Sequence, residues 1–288
     1  MDLTRRGMMG MGALAPFLML AACMQRAAAE GDRFGDTLAE SETISETAIR
    51  NLGSYPGYNQ RGSEKIAMLC YPEMTALDLV GPQYFFACMI GASVHLVTAD
   101  PDLKPVPVDT GFTIGPTIHT QDCPEDLDVL FVPGGLTGTV AAMRNDAILD
   151  FLVSRAAKAR FITSVCTGSL LLGQAGLLEG KRATSHWATR HLLPEFGATP
   201  VDARVVEDGN IVTGAGVSAG LDFALTLLKQ MRGEKYAQAI QLLAEYAPEP
   251  PLSSGTLDGI EPELGRNLHE MMAVPISEMR RAASNRRR

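Results

Sequence analysis

Four short runs dominated by apolar and β-branched residues recur along the chain: "KIAMLCY" at 65–71, "SVHLVTA" at 93–99, "DVLFVPGG" at 128–135 and "FITSVC" at 161–166. A strand with one wet face alternates apolar and polar residues, whereas a strand covered on both faces does not. These runs belong to the second kind. Segments of helical length separate them, read over 81–92 with Pro82 in a first turn, over 145–159 and over 168–176. Apolar strands alternating with helices imply a mostly parallel central sheet with helices on both faces, a three-layer αβα sandwich of the α/β class. In such sheets ligands collect at the carboxyl edge, where strands give way to helices. The loops after Tyr71, Val132, Val165 and Trp187 are therefore the ones that matter.

Further elements follow the same logic. "VPVDTGFTIGPTIHT" holds two short strands, "RATSHW" at 182–187 reads as a strand and "TRHLLPEFG" as a short helix. "RVVEDGNIVTG" is a hairpin turning at Asp208-Gly209, and "SAGLDFALTLLKQM" is a long helix with one apolar face. Beyond Gly233 the pattern becomes helical and proline-broken, and the terminal "RRR" reads as a solvated tail.

The first thirty residues differ from the rest. Arg5 and Arg6 precede an apolar stretch from Met8 to Ala22 that is short of a membrane span and interrupted by Pro16. The pattern is that of an export signal over 1–22 of the twin-arginine kind. "LAAC" resembles a lipoprotein cleavage box that would leave Cys23 as the lipid-bearing first residue; cleavage after Ala29 is the alternative. The expected location is the periplasm, either free or anchored in the membrane through lipidated Cys23. A polar stretch over 23–62 reads as a flexible tether, 63–232 as the catalytic domain, and 233–288 as a helical extension and tail.

Composition narrows the partners. The chain of 288 residues is 46% hydrophobic and 20% charged, enough apolar material for one sizeable core. Its net charge of -8 provides no basic field for phosphates, so no nucleic-acid partner is expected. The five cysteines, Cys23, Cys70, Cys88, Cys123 and Cys166, have no zinc-like spacing with one another or with histidine, and no metal is expected. A domain of this size does not need disulfides, and none is expected. "GAGVSAG" at 214–220 lacks the spacing of a dinucleotide loop, so no nicotinamide or other cofactor is expected.

Cys166 lies where a strand meets a helix, with Ser164 two residues before it and Gly168 two after. Small residues on both flanks allow a tight turn that pushes the central side chain out above the sheet, the logic of a nucleophile elbow. The helix N-terminus beyond it favours a thiolate, so the sequence predicts a depressed thiol pKa. The competing reading is a buried cysteine at a helix start.

Several motifs beside it are informative together: "LDLVGP" at 77–82, "FVPGG" at 131–135, "SVCTGSLLLGQAGLLEGKRATSHW" at 164–187 and "GAGVSAGLDFAL" at 214–225. In this order they resemble the ThiJ/PfpI superfamily, of flavodoxin-like, class I glutamine-amidotransferase-like fold. "YPEMTALDLVGPQYFF" and the long cysteine motif are most similar to its isonitrile hydratase group. The resemblance implies Cys166 as nucleophile, Asp78 as the acid beside it and Thr167 as a supporting hydroxyl. It also implies a homodimer acting on a small molecule without metal or organic cofactor. Gly134 and Gly135 are read as backbone donors at an oxyanion or substrate site, and His186 as a substrate-side histidine. For Gly134 and Gly135 the plain alternative is a turn requiring positive φ, for Asp78 a helix cap, and for His186 a packed core residue.

The chemistry so implied is hydration of an isonitrile to an N-substituted formamide. Cys166 attacks the isonitrile carbon and Asp78, its pKa raised by apolar neighbours, donates a proton to give a covalent thioimidate. Thr167 orients the water or the thiol. The alternatives are a non-enzymatic redox or ligand sensor, and a glyoxalase-like enzyme for reactive aldehydes. The absence of a histidine directly after the cysteine counts against the aldehyde and peptidase branches. The superfamily's DNA-binding regulators are a poor match, because the residues after Met231 are few and proline-broken.

Overall fold

The computed structural model describes residues 45–284. The export signal, Cys23, the first part of the tether and the terminal arginines lie outside the described residues.

A seven-stranded sheet forms the middle layer, in the order β10-β11-β7-β6-β1-β2-β5. Its strands are β1 (Lys65–Cys70), β2 (Ser93–Thr98), β5 (Ile118–His119), β6 (Val129–Val132), β7 (Phe161–Val165), β10 (Val205–Asp208) and β11 (Ile211–Gly214). Neighbours run parallel except for the β10–β11 hairpin. The central strands are covered on both faces: β6 and β7 are buried along their whole length. Continuous hydrophobicity in those runs has this cause.

The helices are α1 (Ala76–Ala87), α2 (Leu136–Ala142), α3 (Asp146–Ala156), α4 (Gly168–Gln174), α5 (Ala219–Arg232), α6 (Glu234–Leu243), α7 (Pro262–Met271) and α8 (Ala273–Ser284). A helical stretch over 45–53 precedes β1. Helix α1 packs on α5 on one side of the sheet, while α8 buries Ile276, Met279, Ala282 and Ala283 and packs against α2 on the other. Among the described residues no helix is long and apolar enough to cross a membrane.

Several local expectations are corrected. Helix α1 begins at Ala76, not near residue 81, and Pro82 sits inside it. Its first turn is capped from a distance, because the Ala76 N–H donates to Asp109 Oδ1 at 3.1 Å. No local pattern announces such a cap. The 106–120 excursion holds a third short strand, β5, besides β3 (Val106–Pro107) and β4 (Thr113–Ile114). Within "RATSHW" only β8 (Arg182–Ala183) is a strand, paired with β9 (Thr199–Pro200) outside the main sheet. The following residues use other partners: the Thr184 N–H donates to Thr213 Oγ1 at 2.9 Å. The short helix read after Trp187 is a 3-10 helix over Arg190–Phe196.

The end of the stretch read as a tether is held against the domain by Arg232, whose buried ion-pair partner, Glu64, lies just beyond that stretch. Arg232, 2% exposed at the end of α5, meets Glu64 with two contacts of 2.5 Å. It also donates to the carbonyls of Asn59, Gln60 and Ile90 at 3.2, 3.0 and 3.0 Å.

Candidate active site

At the carboxyl edge of the sheet the loops after β1, β6 and β7 converge, joined by the loop after β8. Cys166 follows β7 with φ of +58°, a left-handed conformation that an L side chain adopts only where its surroundings impose it. The surroundings do so at both ends of the residue. Its N–H donates to the carbonyls of Gly214 and Ala215 at 3.1 and 2.7 Å. Its carbonyl accepts from the Ser169 and Ser185 hydroxyls, both at 3.1 Å. The small flanks have steric causes. A Cβ on Gly168 would sit 2.3 Å from the Val132 carbonyl oxygen, and Ser164 is fully buried in β7.

Asp78 reaches the same point from the first turn of α1. It does not cap that helix, since Thr75 occupies the cap position. Its carboxyl is fully buried and accepts the Gly134 N–H through Oδ2 at 2.9 Å. Burial pushes its pKa up to about 7, against the pull of the hydrogen bonds from Gly134 and Cys166; the Asp109 charge adds to the rise. A carboxylic acid poised near neutrality beside a sulfur is the arrangement that moves protons at physiological pH.

The cysteine itself departs from expectation. Only 5% of Cys166 is exposed, and burial followed by the Asp78 charge drives its thiol pKa well above the ordinary value. The backbone and hydroxyl of Thr167 pull the other way and do not prevail. The expected depression is opposed by burial, which strips a thiolate of water, and by the neighbouring Asp78 carboxylate.

Thr167 is fully engaged. Its Oγ1 accepts the Gly135 N–H at 2.9 Å and lies 2.7 Å from Thr139 Oγ1. These bonds revise the roles expected of the two glycines. The N–H groups of Gly134 and Gly135 donate to Asp78 and Thr167, so they position those two side chains and do not face an incoming oxyanion. Neither glycine has a left-handed φ. What excludes a side chain is proximity: a Cβ on Gly134 would lie 2.6 Å from the Thr167 nitrogen and 2.8 Å from Asp78 Oδ2, and one on Gly135 would lie 2.6 Å from the Glu73 carbonyl oxygen.

His186 occupies the loop after β8, half-buried, with its pKa lowered by burial. It packs on Trp187, ring centres 5.5 Å apart, and borders Gly216, whose absent Cβ would meet its Cδ2 at 3.4 Å. The direct link from this loop to Cys166 is made by the neighbouring Ser185.

Sequence reasoning missed Asp109, Ser185, Tyr71 and Thr139. The loop after Tyr71 had been singled out, but the tyrosine hydroxyl had not; nothing in "LTGTVAA" marks Thr139 as buried against Thr167. The four described cysteines, Cys70, Cys88, Cys123 and Cys166, are free. Among the described residues no group of three or more His, Cys, Asp or Glu is placed to hold a metal ion.

Comparison with known proteins bears on this geometry. Residues 64–230 match the model of the DJ-1/PfpI family. Isonitrile hydratase of Pseudomonas putida is 52% identical over 194 residues, which span 67% of this chain and 83% of that protein. Protein DJ-1alpha of Drosophila melanogaster is 32% identical over 151 residues, 51% of this chain and 70% of the relative. A solved structure of a ThiJ/PfpI family protein from Pseudomonas syringae aligns with a TM-score of 0.76 at 46% identity, covering 78% of this chain and 93% of that one. A strained cysteine after a central parallel strand, a buried acid beside it and a family match across more than half the length lead to one statement: the chain belongs to the DJ-1/PfpI family.

Proposed function

We propose that this chain is a cysteine-dependent hydratase that converts an isonitrile, R–N≡C, into the N-substituted formamide. The observation that carries the reading is the pairing of a nearly buried cysteine, held at a strained turn, with the fully buried Asp78 carboxyl, which burial raises to about 7. An enzyme that hydrates a carbon through sulfur needs to take the thiol proton as sulfur attacks and to place a proton on the same carbon. Asp78 is built to do both. A sulfur only 5% exposed also favours a slim, linear head group over a branched carbonyl, since an isonitrile carbon approaches end-on. The 52% identity to a protein named isonitrile hydratase points the same way.

The steps balance as follows. Asp78 accepts the Cys166 proton as the C–S bond forms and returns a proton to the terminal carbon, giving Cys166–S–CH=N–R. Water then adds across C=N, its hydroxyl to carbon and its proton to nitrogen, with Asp78 relaying the proton. The C–S bond breaks, the hydroxyl proton returns to sulfur by way of Asp78, and R–NH–CHO leaves. Thr167 holds Gly135 and the sulfur in register throughout.

The test is formamide production from an alkyl isonitrile by the purified protein, read by mass spectrometry, with Cys166→Ala and Asp78→Asn alongside. Turnover by the wild type that is abolished in Cys166→Ala and reduced about 10²-fold or more in Asp78→Asn is expected. Absence of formamide from folded wild type, or full activity in Cys166→Ala, overturns the reading. By analogy with the export pattern at the N-terminus we place this activity in the periplasm; the mass of the mature N-terminal peptide checks that placement.

A further inference from the structure

Away from the cysteine, α3, α8 and the C-terminal ends of α2 and α4 border a cleft of about 440 Å³, a volume in the range that holds small ligands. None of its lining residues belongs to the candidate active site. Part of the wall is apolar, formed by Met143, Leu149 and Val153, the last 49% exposed. The charge is carried by α3, where Asp146 and Asp150 lie one turn apart on the same face. The cation that lines the cleft, Arg144, is held by Glu278 at 2.5 Å, and Glu278 also takes Arg281. Asp150 enters no ion pair among the described residues.

One further group in the cleft wants a donor. Gln174, in the last turn of α4, donates through Nε2 to the Ala282 carbonyl at 3.3 Å, while its buried Oε1 has no hydrogen-bond partner among the described residues. A buried acceptor left without a donor is costly. Apolar wall, carboxylates and an idle amide oxygen together suit a side chain with an aliphatic stem and a cationic head carrying several N–H donors. Arginine has that composition, and its planar fork can serve a carboxylate and a second acceptor at once.

The chain supplies arginines at this place. Ala282, in the last turn of α8, lines the cleft, and Arg286, Arg287 and Arg288 follow it. Four residues separate Ala282 from Arg286, an extended reach of up to roughly 14 Å. We infer that the cleft between α3 and α8 is the seat of the chain's own C-terminal arginines, which latch onto Asp150 and Asp146 instead of forming the solvated tail expected. A short tether gives such an intramolecular contact an effective concentration on the order of millimolar, so one exposed ion pair is enough to populate it. The latch ties α8 to α3. Since α8 also packs on α2 and α4, it braces the helix that starts just after Cys166. The inference goes beyond the proposed hydratase activity and does not depend on it.

The experiment is trimming of the full-length protein by carboxypeptidase B, which removes C-terminal arginines one at a time, followed by intact mass. At low salt Asp150→Asn should lose its arginines roughly two- to fivefold faster than wild type, the range of one exposed ion pair, and Asp150→Lys faster still. Val153→Lys, which places a cation on the exposed apolar wall, should also accelerate trimming and checks the cleft through a different residue. Raising the salt from about 0.01 M to about 1 M shortens the screening length from about 30 Å to about 3 Å, and should bring the ratio of Asp150→Lys to wild type close to one. Trimming that is equal or slower in the three variants, or a ratio that salt does not change, overturns the latch. Protection that grows with protein concentration assigns the cleft to the tail of a second copy and overturns it as well. Isonitrile turnover plays no part in this readout, so failure of the hydratase assay is recognised separately.

Discussion

Asp78→Asn is expected to make the protein more stable while making it a poorer catalyst. Burial raises the wild-type carboxyl to about 7 in the folded protein, against an ordinary value of 3.8. A group whose folded pKa is raised above its unfolded value binds its proton more tightly in the folded state. Its contribution is therefore neutral below the unfolded pKa and becomes unfavourable as pH rises through the folded one. At 1.36 kcal/mol per unit the penalty above neutrality is about 4 kcal/mol. Asparagine keeps an oxygen for the Gly134 N–H but weakens that bond, so a net gain on the order of 2–4 kcal/mol is expected above about pH 7. It should vanish near about pH 4. Urea unfolding followed by the fluorescence of Trp187 measures this at a series of pH values. The wild type should lose stability between about pH 4 and about pH 8 relative to the variant, and the difference should have a midpoint shape governed by the carboxyl. A variant less stable than wild type at about pH 8, or one with the same pH slope, would refute the reasoning. Groups held in costly states for chemistry commonly show this trade.

Two further outcomes follow from single contacts. Gly134→Ala places a methyl 2.6 Å from the Thr167 nitrogen and 2.8 Å from Asp78 Oδ2, so turnover should fall at least 10²-fold while far-ultraviolet circular dichroism remains native. Arg232→Ala strips Glu64 of its buried partner and should cost about 3–5 kcal/mol by urea unfolding, with residues 59–62 gaining protease sensitivity; Arg232→Lys should not recover most of the loss, because a lysine cannot reproduce the two-pronged contact.

How legible the site was depended on how local its causes are. Cys166 stood out because Ser164 and Gly168 report a tight turn on the residues next to it, and the +58° φ is what that turn requires. Asp78 was found by motif, and the expectation of a raised pKa agreed with the direction that burial imposes. The thiol pKa was misjudged because helix position is visible in sequence whereas desolvation is a sum over elements distant in the chain. Pro82 misplaced the start of α1 for a similar reason: proline signals a first turn, but here a cap supplied by Asp109, 33 residues away, starts the helix earlier.

The amino-acid sequence by itself determined the layers. Nearly continuous apolar runs alternating with segments of helical length are satisfied by a parallel sheet between helices, and the small residues around Cys166 permit its tight turn. Tertiary structure alone decided protonation and orientation: which carboxyl lies against the sulfur, where the glycine N–H groups point, and that Tyr71 and Thr139 stand behind Thr167. Those outcomes depend on hydrogen bonds and burial between residues tens of positions apart, and the free energy of a charge is set by everything around it, not by its neighbours in the chain.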